Sequence, residues 1–68
     1  NMAKIQLNGK NIFLKKDMSL RHLLKSYKLN EKKVAVELNG QIVLRQNYRN
    51  KILNNKDKIE IVHFIGGG

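Results

Sequence analysis

Two Asn-Gly pairs, Asn8-Gly9 and Asn39-Gly40, constrain this chain more than any other feature. Asn-Gly is the preferred pair for a two-residue type I′ hairpin turn, because both turn positions need a positive φ that most side chains resist. Each pair stands between runs that alternate polar and apolar residues. Lys4-Ile5-Gln6-Leu7 leads into the first turn, and Asn11 to Lys15 leads out, with Ile12 and Leu14 on one face and Phe13 on the other. Val34, Val36 and Leu38 lead into the second turn with Ala35 and Glu37 on their opposite face, and Gln41-Ile42-Val43-Leu44 leads out as a short return strand. Period-two alternation on both sides of an Asn-Gly turn predicts two β-hairpins.

One convincing helix separates them. Leu20, Leu23, Leu24 and Tyr27 recur at i, i+3, i+4, i+7 and define one helical face, and Ser19 is placed to cap the free amides of the first turn. The third helical position is His22 rather than Glu or Gln, so the capping box is incomplete. Lys25 and Lys28 complement the dipole at the far end. After the second hairpin, Arg45 to Asn50 is polar and irregular with Tyr48 as its apolar anchor, and Ile52 and Leu53 re-enter the core before the turn-forming Asn54-Asn55-Lys56-Asp57. The last strand, Lys58 to about Phe64, puts Ile59 and Ile61 on one face and Glu60, Val62 and Phe64 on the other. Hairpin, helix, hairpin, final strand is the order of a β-grasp: an α+β fold with one helix across a mixed sheet of four to five strands. The final strand then runs parallel to the first in the middle of the sheet, which accounts for its high apolar content.

At 68 residues this is one domain, expected over 1–65, with 66–68 as a flexible glycine tail. Each buried aliphatic side chain contributes about 1.5–3 kcal/mol, against roughly 1–2 kcal/mol per residue to fix the backbone. Nearly every Ile, Leu and Val is therefore needed for the core, which leaves little interior for a deep catalytic pocket. Asn1 before Met2 reads as a remnant ahead of the natural start. No apolar run is long enough to span a bilayer and no leader of signal-peptide type is present, so the expected setting is soluble and cytoplasmic, without a membrane partner and with a monomer as the free form.

The chemistry available to the side chains is limited. There is no Cys, hence no disulfide, thiolate metal site or thiol nucleophile, and any sulfur chemistry must borrow its sulfur. His22 and His63 stand alone, and Asp17, Glu31, Glu37, Asp57 and Glu60 form no obvious pair, so neither a metal site nor a catalytic dyad is expected. The net charge of +9 invites a nucleic-acid ligand, but the Lys residues are scattered and Phe13, Tyr27, Tyr48 and Phe64 are spread over four elements, which provides no base-stacking platform. A small basic RNA-binding β-grasp module remains the alternative from another class, and a basic surface that steers docking to an acidic partner remains a second use of the charge.

What remains is Gly66-Gly67-Gly68. A run of glycine can thread a channel too narrow for side chains, and its carboxylate is the least hindered acyl group a protein can present. A carboxylate is a poor acyl donor until it is adenylated; a sulfur nucleophile can then displace AMP and leave a thiocarboxylate on Gly68. Val62, Phe64 and Ile65, with Ile42, are expected on the sheet face opposite the helix as an exposed patch that docks a partner while the glycines reach its active site.

The run Val34-Ala35-Val36-Glu37-Leu38-Asn39-Gly40-Gln41-Ile42-Val43, then Arg45 and Tyr48, then Asp57 through Gly68 resembles the ThiS family of ubiquitin-like sulfur carriers in thiamin biosynthesis, and the resemblance covers essentially the whole chain. It implies that a ThiF-type E1-like adenylyltransferase, using ATP and Mg, adenylates Gly68, that a cysteine desulfurase is the indirect source of sulfur, and that a ThiG-type thiazole synthase accepts it. The chain itself would bind no cofactor and would be a protein co-substrate rather than an enzyme. A carrier for another acceptor, of the molybdopterin-synthase small-subunit type, shares the fold and tail. This sequence departs from the family pattern at Leu44, where Pro is usual, and at Lys28 and Lys56, where Gly is usual; these positions belong to turns and caps.

Overall fold

The computed structural model describes residues 2–64. Strands β1 (Ala3–Leu7), β2 (Lys10–Leu14), β3 (Val34–Leu38), β4 (Gln41–Val43) and β5 (Lys58–His63) form one sheet in the order β2-β1-β5-β3-β4. Helix α1 (Leu20–Ser26) packs on one face of it. The β-grasp expectation holds: β5 is central, parallel to β1 and antiparallel to β3. Both Asn-Gly pairs adopt the expected turn, with φ of 49° and 83° at Asn8 and Gly9 and of 53° and 84° at Asn39 and Gly40.

The core collects Ile5, Leu14, Val34, Val36, Leu38, Ile59 and Ile61 from the sheet, Leu20, Leu23 and Leu24 from α1, and Tyr48 and Leu53 from the connection before β5. That connection also satisfies the start of the helix. Leu20 N–H donates to the Lys51 carbonyl at 2.7 Å and Arg21 N–H to the Tyr48 carbonyl at 2.9 Å, while Ser19 Oγ accepts from His22 N–H at 3.1 Å. Amides left free by the helical pattern are thus paired without an acidic residue in the first turn.

Tyr27, counted on the apolar face of the helix, and Ile52, expected in the core, are both exposed. Tyr27 is half exposed because α1 ends at Ser26 and Tyr27 is its C-cap; the chain reverses at Lys28, and Leu29 packs against the core instead. Ile52 forms an isolated bridge with Ser19, and alternation along that extended stretch turns Leu53 inward and leaves Ile52 exposed.

The helix closes in a Schellman motif, with Leu29 N–H on the Leu24 carbonyl and Lys28 N–H on the Lys25 carbonyl, both at 2.9 Å. This puts Lys28 at φ 59°, and the turn before β5 puts Lys56 at φ 74°. Both hold an L side chain in a region that costs about 1–2 kcal/mol. Allowing for the extra entropy glycine loses on folding, Lys28→Gly and Lys56→Gly should each stabilise the domain by roughly 0.5–1 kcal/mol. Thermal unfolding of the single and double variants checks this; the double variant should show close to the sum.

Glu31, in a short 3-10 turn (Glu31–Lys33), ties three elements together. Its carboxylate accepts from Arg21 Nε at 2.9 Å and Arg21 Nη2 at 3.0 Å, and from Arg45 Nε at 3.3 Å. The Arg21 hydrogen bonds, outweighing the desolvation that opposes them and helped by Arg45, hold the Glu31 carboxyl below its ordinary value of 4.5. A carboxyl whose folded value is lowered stabilises the fold at pH above its unfolded value and loses that contribution as pH falls through the folded one. Acid titration of wild type against Glu31→Gln should therefore show two stability curves that differ at neutral pH and converge below pH 4.5. Curves that stay parallel through that range would show that the ion pairs contribute nothing.

Candidate functional site

The face of the sheet turned away from α1 is where the sequence places a docking surface. Register fixes which residues share it. Across β4, β3 and β5, Ile42, Glu37 and Glu60 form one row, and in the next row Ala35 lies opposite Val62. Pairing continues past the strand through Phe64 N–H, which donates to the Lys33 carbonyl at 2.9 Å. Val62, Phe64 and Ile42 are exposed at 61%, 51% and 64%. Sequence reasoning overlooked Leu44, which continues the alternation of β4 and is 58% exposed. Its spacing of two from Ile42 was the available signal. Phe13 is equally exposed but sits on β2, at the opposite edge of the sheet, and does not join this group.

The fold also makes a carboxylate pair that the sequence order concealed. Glu37 and Glu60 are 23 positions apart in the chain yet directly opposite in the β3–β5 register. Like charges facing each other destabilise a sheet, and the salt bridges among the described residues all belong to Glu31. This face thus carries two acids that form no salt bridge among the described residues, beside Ile42 and Val62 in a chain of net charge +9.

Asp57, the buried acid, is structural. Its Oδ2 accepts from Asn54 N–H at 2.7 Å and its Oδ1 from Asn39 Nδ2 at 2.9 Å, which locks the turn before β5 to the second hairpin. Burial raises the Tyr48 phenol above its ordinary value, with nearby Glu31 adding to the effect. His22 and His63 are exposed on separate elements, and no group of three or more His, Cys, Asp or Glu stands close enough to hold a metal ion among the described residues. An open groove beside β4 is lined by Leu38, Ile42, Val43, Leu44, Asn47 and Lys51 among others, and none of its lining residues is an acid or histidine. Among the described residues, no helix is long and apolar enough to cross a membrane. Ile65, Gly66, Gly67 and Gly68, expected to carry the acyl chemistry and part of the docking patch, lie outside the described residues.

Comparison with known proteins converges on one family. The model of the ThiS family matches residues 4–68. The sulfur carrier protein ThiS of Bacillus subtilis is 48% identical over 65 residues, covering 94% of this chain and 98% of that protein. The crystal structure of the thiamine biosynthesis protein ThiS from Geobacter metallireducens superposes with a TM-score of 0.81 at 28% identity, covering 96% of this chain and 99% of that one. A thiazole synthase of Paramagnetospirillum magneticum contains a segment 40% identical over 65 residues, which takes in 96% of this chain but only 20% of that enzyme.

Proposed function

This chain belongs to the ThiS family and is a sulfur carrier of thiamin biosynthesis, and from that premise we propose that Gly68 is the residue that carries the sulfur. The observation that supports this most directly is that the family match runs through residue 68, so it takes in the terminal glycines as well as the fold. In this reading the Gly68 carboxylate attacks the α-phosphate of MgATP in an E1-like adenylyltransferase, with loss of pyrophosphate. The terminal sulfur of a persulfide, derived from a cysteine desulfurase, attacks the acyl carbon and expels AMP. A thiol then cleaves the resulting S–S bond and leaves the thiocarboxylate. ATP, Mg and every catalytic side chain belong to the partners; this protein is their co-substrate, and the reading places it in the cytoplasm with them.

The acceptor in this reading is a thiazole synthase, and the presence of a related segment inside two such enzymes supports that choice. Val62, Phe64 and Ile42, joined by Leu44, form the face that docks each partner. Incubation with the adenylyltransferase, ATP and a sulfur donor, followed by mass spectrometry of the intact chain, tests the reading. The expected product is heavier by the difference between sulfur and oxygen, and the change maps to Gly68. An unchanged mass under conditions that load a known carrier would refute it.

A further inference from the structure

β1 ends before β5 does. The β1–β5 register covers Gln6↔Lys58 and Leu7↔Ile59, and Asn8 N–H donates to the Ile59 carbonyl at 2.9 Å. At Asn8 the chain turns back through φ 49° into β2, so no later β1 peptide faces Ile61. The Asn8 side chain takes that place. Its Oδ1 accepts from Ile61 N–H at 2.8 Å, and its Nδ2 donates to the Ile61 carbonyl at 3.3 Å. A carboxamide offers the same donor and acceptor as a peptide group, so one side chain extends β1 by a rung. On the other flank, β5 is held by β3 as far as the Phe64 N–H. Among the described residues, no hydrogen bond from the β1 side reaches beyond Ile61.

Asn39 supplies a counterpart at the opposite end of the same strand. It also sits at positive φ in an Asn-Gly turn, and its Oδ1 accepts from Lys58 N–H at 2.8 Å. One turn asparagine therefore anchors the start of β5 and the other anchors its end. Their neighbours on the strand differ: Asn8 grips it next to Val62 and Phe64, whereas Asn39 grips it before Ile59.

We propose that Asn8 is a positioning residue for the carrier reaction, fixing the end of β5 so that the docking side chains and the reacting carboxylate are delivered to the partner in one direction. The proposal rests on the carrier reading above. Gly68 lies seven positions beyond Ile61, and a chain of that length reaches at most roughly 24 Å. A change in the direction of β5 at Ile61 therefore shifts the point from which the chain sets out toward the reacting atom. Displacement of a reacting atom by about 1 Å can cost on the order of a hundredfold in rate.

Asn8→Gly tests this, because glycine keeps the positive φ of the turn and removes only the amide. Asn39→Gly is the control: the same substitution, in the same turn type, against the same strand. Thiocarboxylate formation is followed by mass with the adenylyltransferase, ATP and a sulfur donor, at a temperature where circular dichroism shows every variant folded. Asn8→Gly should lower kcat roughly tenfold while KM stays within about twofold, a signature of misdirection rather than lost affinity. The Ile61 amide should exchange faster with solvent. Asn39→Gly should keep the wild-type kcat even where its melting temperature falls as far. Asn8→Asp, which retains the acceptor for Ile61 N–H but opposes an oxygen to the Ile61 carbonyl, should also lower kcat and serves if the glycine variant unfolds. Wild-type kcat in Asn8→Gly, or an equal loss in Asn39→Gly, overturns the proposal while leaving the carrier reading intact. A wild-type chain that gains no sulfur overturns both.

Discussion

A chain lacking Gly68, or extended by one alanine beyond it, is expected to take up no measurable sulfur while docking as tightly as wild type. The reason is geometric. Deleting Gly68 leaves another glycine carboxylate at Gly67, chemically as good an acyl group, but one residue short, roughly 3.5 Å from where the reacting atom must be. Misplacement on that scale should reduce loading by at least about a hundredfold, because adenylation is a positioned attack and not a diffusional one. The added alanine fails differently: it ties the acyl carbon of Gly68 into a peptide bond and ends the chain on a residue that carries a side chain. Both variants retain Ile42, Val62 and Phe64, so each should inhibit loading of the wild-type carrier competitively. Loading of the shortened chain at a rate near wild type would show that the terminal residue does not define the reaction, and the carrier assignment to Gly68 would fail.

Much of the fold was legible because local rules and the global arrangement agree. Asn8-Gly9 and Asn39-Gly40 require a positive φ and sit between alternating runs, so both hairpins emerge without knowledge of the tertiary structure. The central place of β5 accords with its apolar content, and Val62 and Phe64 were placed on the outer face by counting alternate positions. The features that escaped depend on contacts between distant segments. Tyr27 has the spacing of a core residue, yet the Schellman closure at Lys28 ends the helix one residue earlier and gives its place to Leu29. Nothing in a periodicity count reports where a helix stops when the residue at the stop is Lys rather than Gly. The Glu37–Glu60 pair requires the antiparallel register of β3 with β5, and the bonds from Asn8 to Ile61 span 53 positions. Side chains that act as substitutes for backbone are invisible to composition, because the sequence shows only a turn residue. Of the candidate site, the exposure of Ile42, Val62 and Phe64 was legible from alternation, and that of Leu44 follows the same period.

The opposed acids bear on how that face works. A sheet stabilised for its own sake would place Glu37 and Glu60 opposite cations, of which the chain has many. Instead Ile42 and Val62 stay exposed beside two like charges. A partner that covers this surface must therefore pair the two carboxylates as well as bury the apolar side chains, because covering unpaired charge is costly.

Truncating that surface should therefore have the second large effect. Phe64→Ala and Val62→Ala should each weaken docking to the adenylyltransferase by on the order of thirtyfold, the loss typical of a central apolar anchor at an interface. The side chains are 51% and 61% exposed, so truncation removes little burial in the free carrier, and its stability should change by no more than about 0.5 kcal/mol. That separation is what makes the test sharp. Kinetically, KM should rise with little change in kcat, because the tail of a carrier that does dock is still aimed by an intact β5. Phe13→Ala, equally exposed but on β2 at the other edge, should leave KM unaltered. Normal loading of the Phe64 and Val62 variants at carrier concentrations well below KM would discard this face as the docking surface. A KM raised equally by the Phe13 substitution would mean that general surface hydrophobicity, and not this patch, governs the encounter.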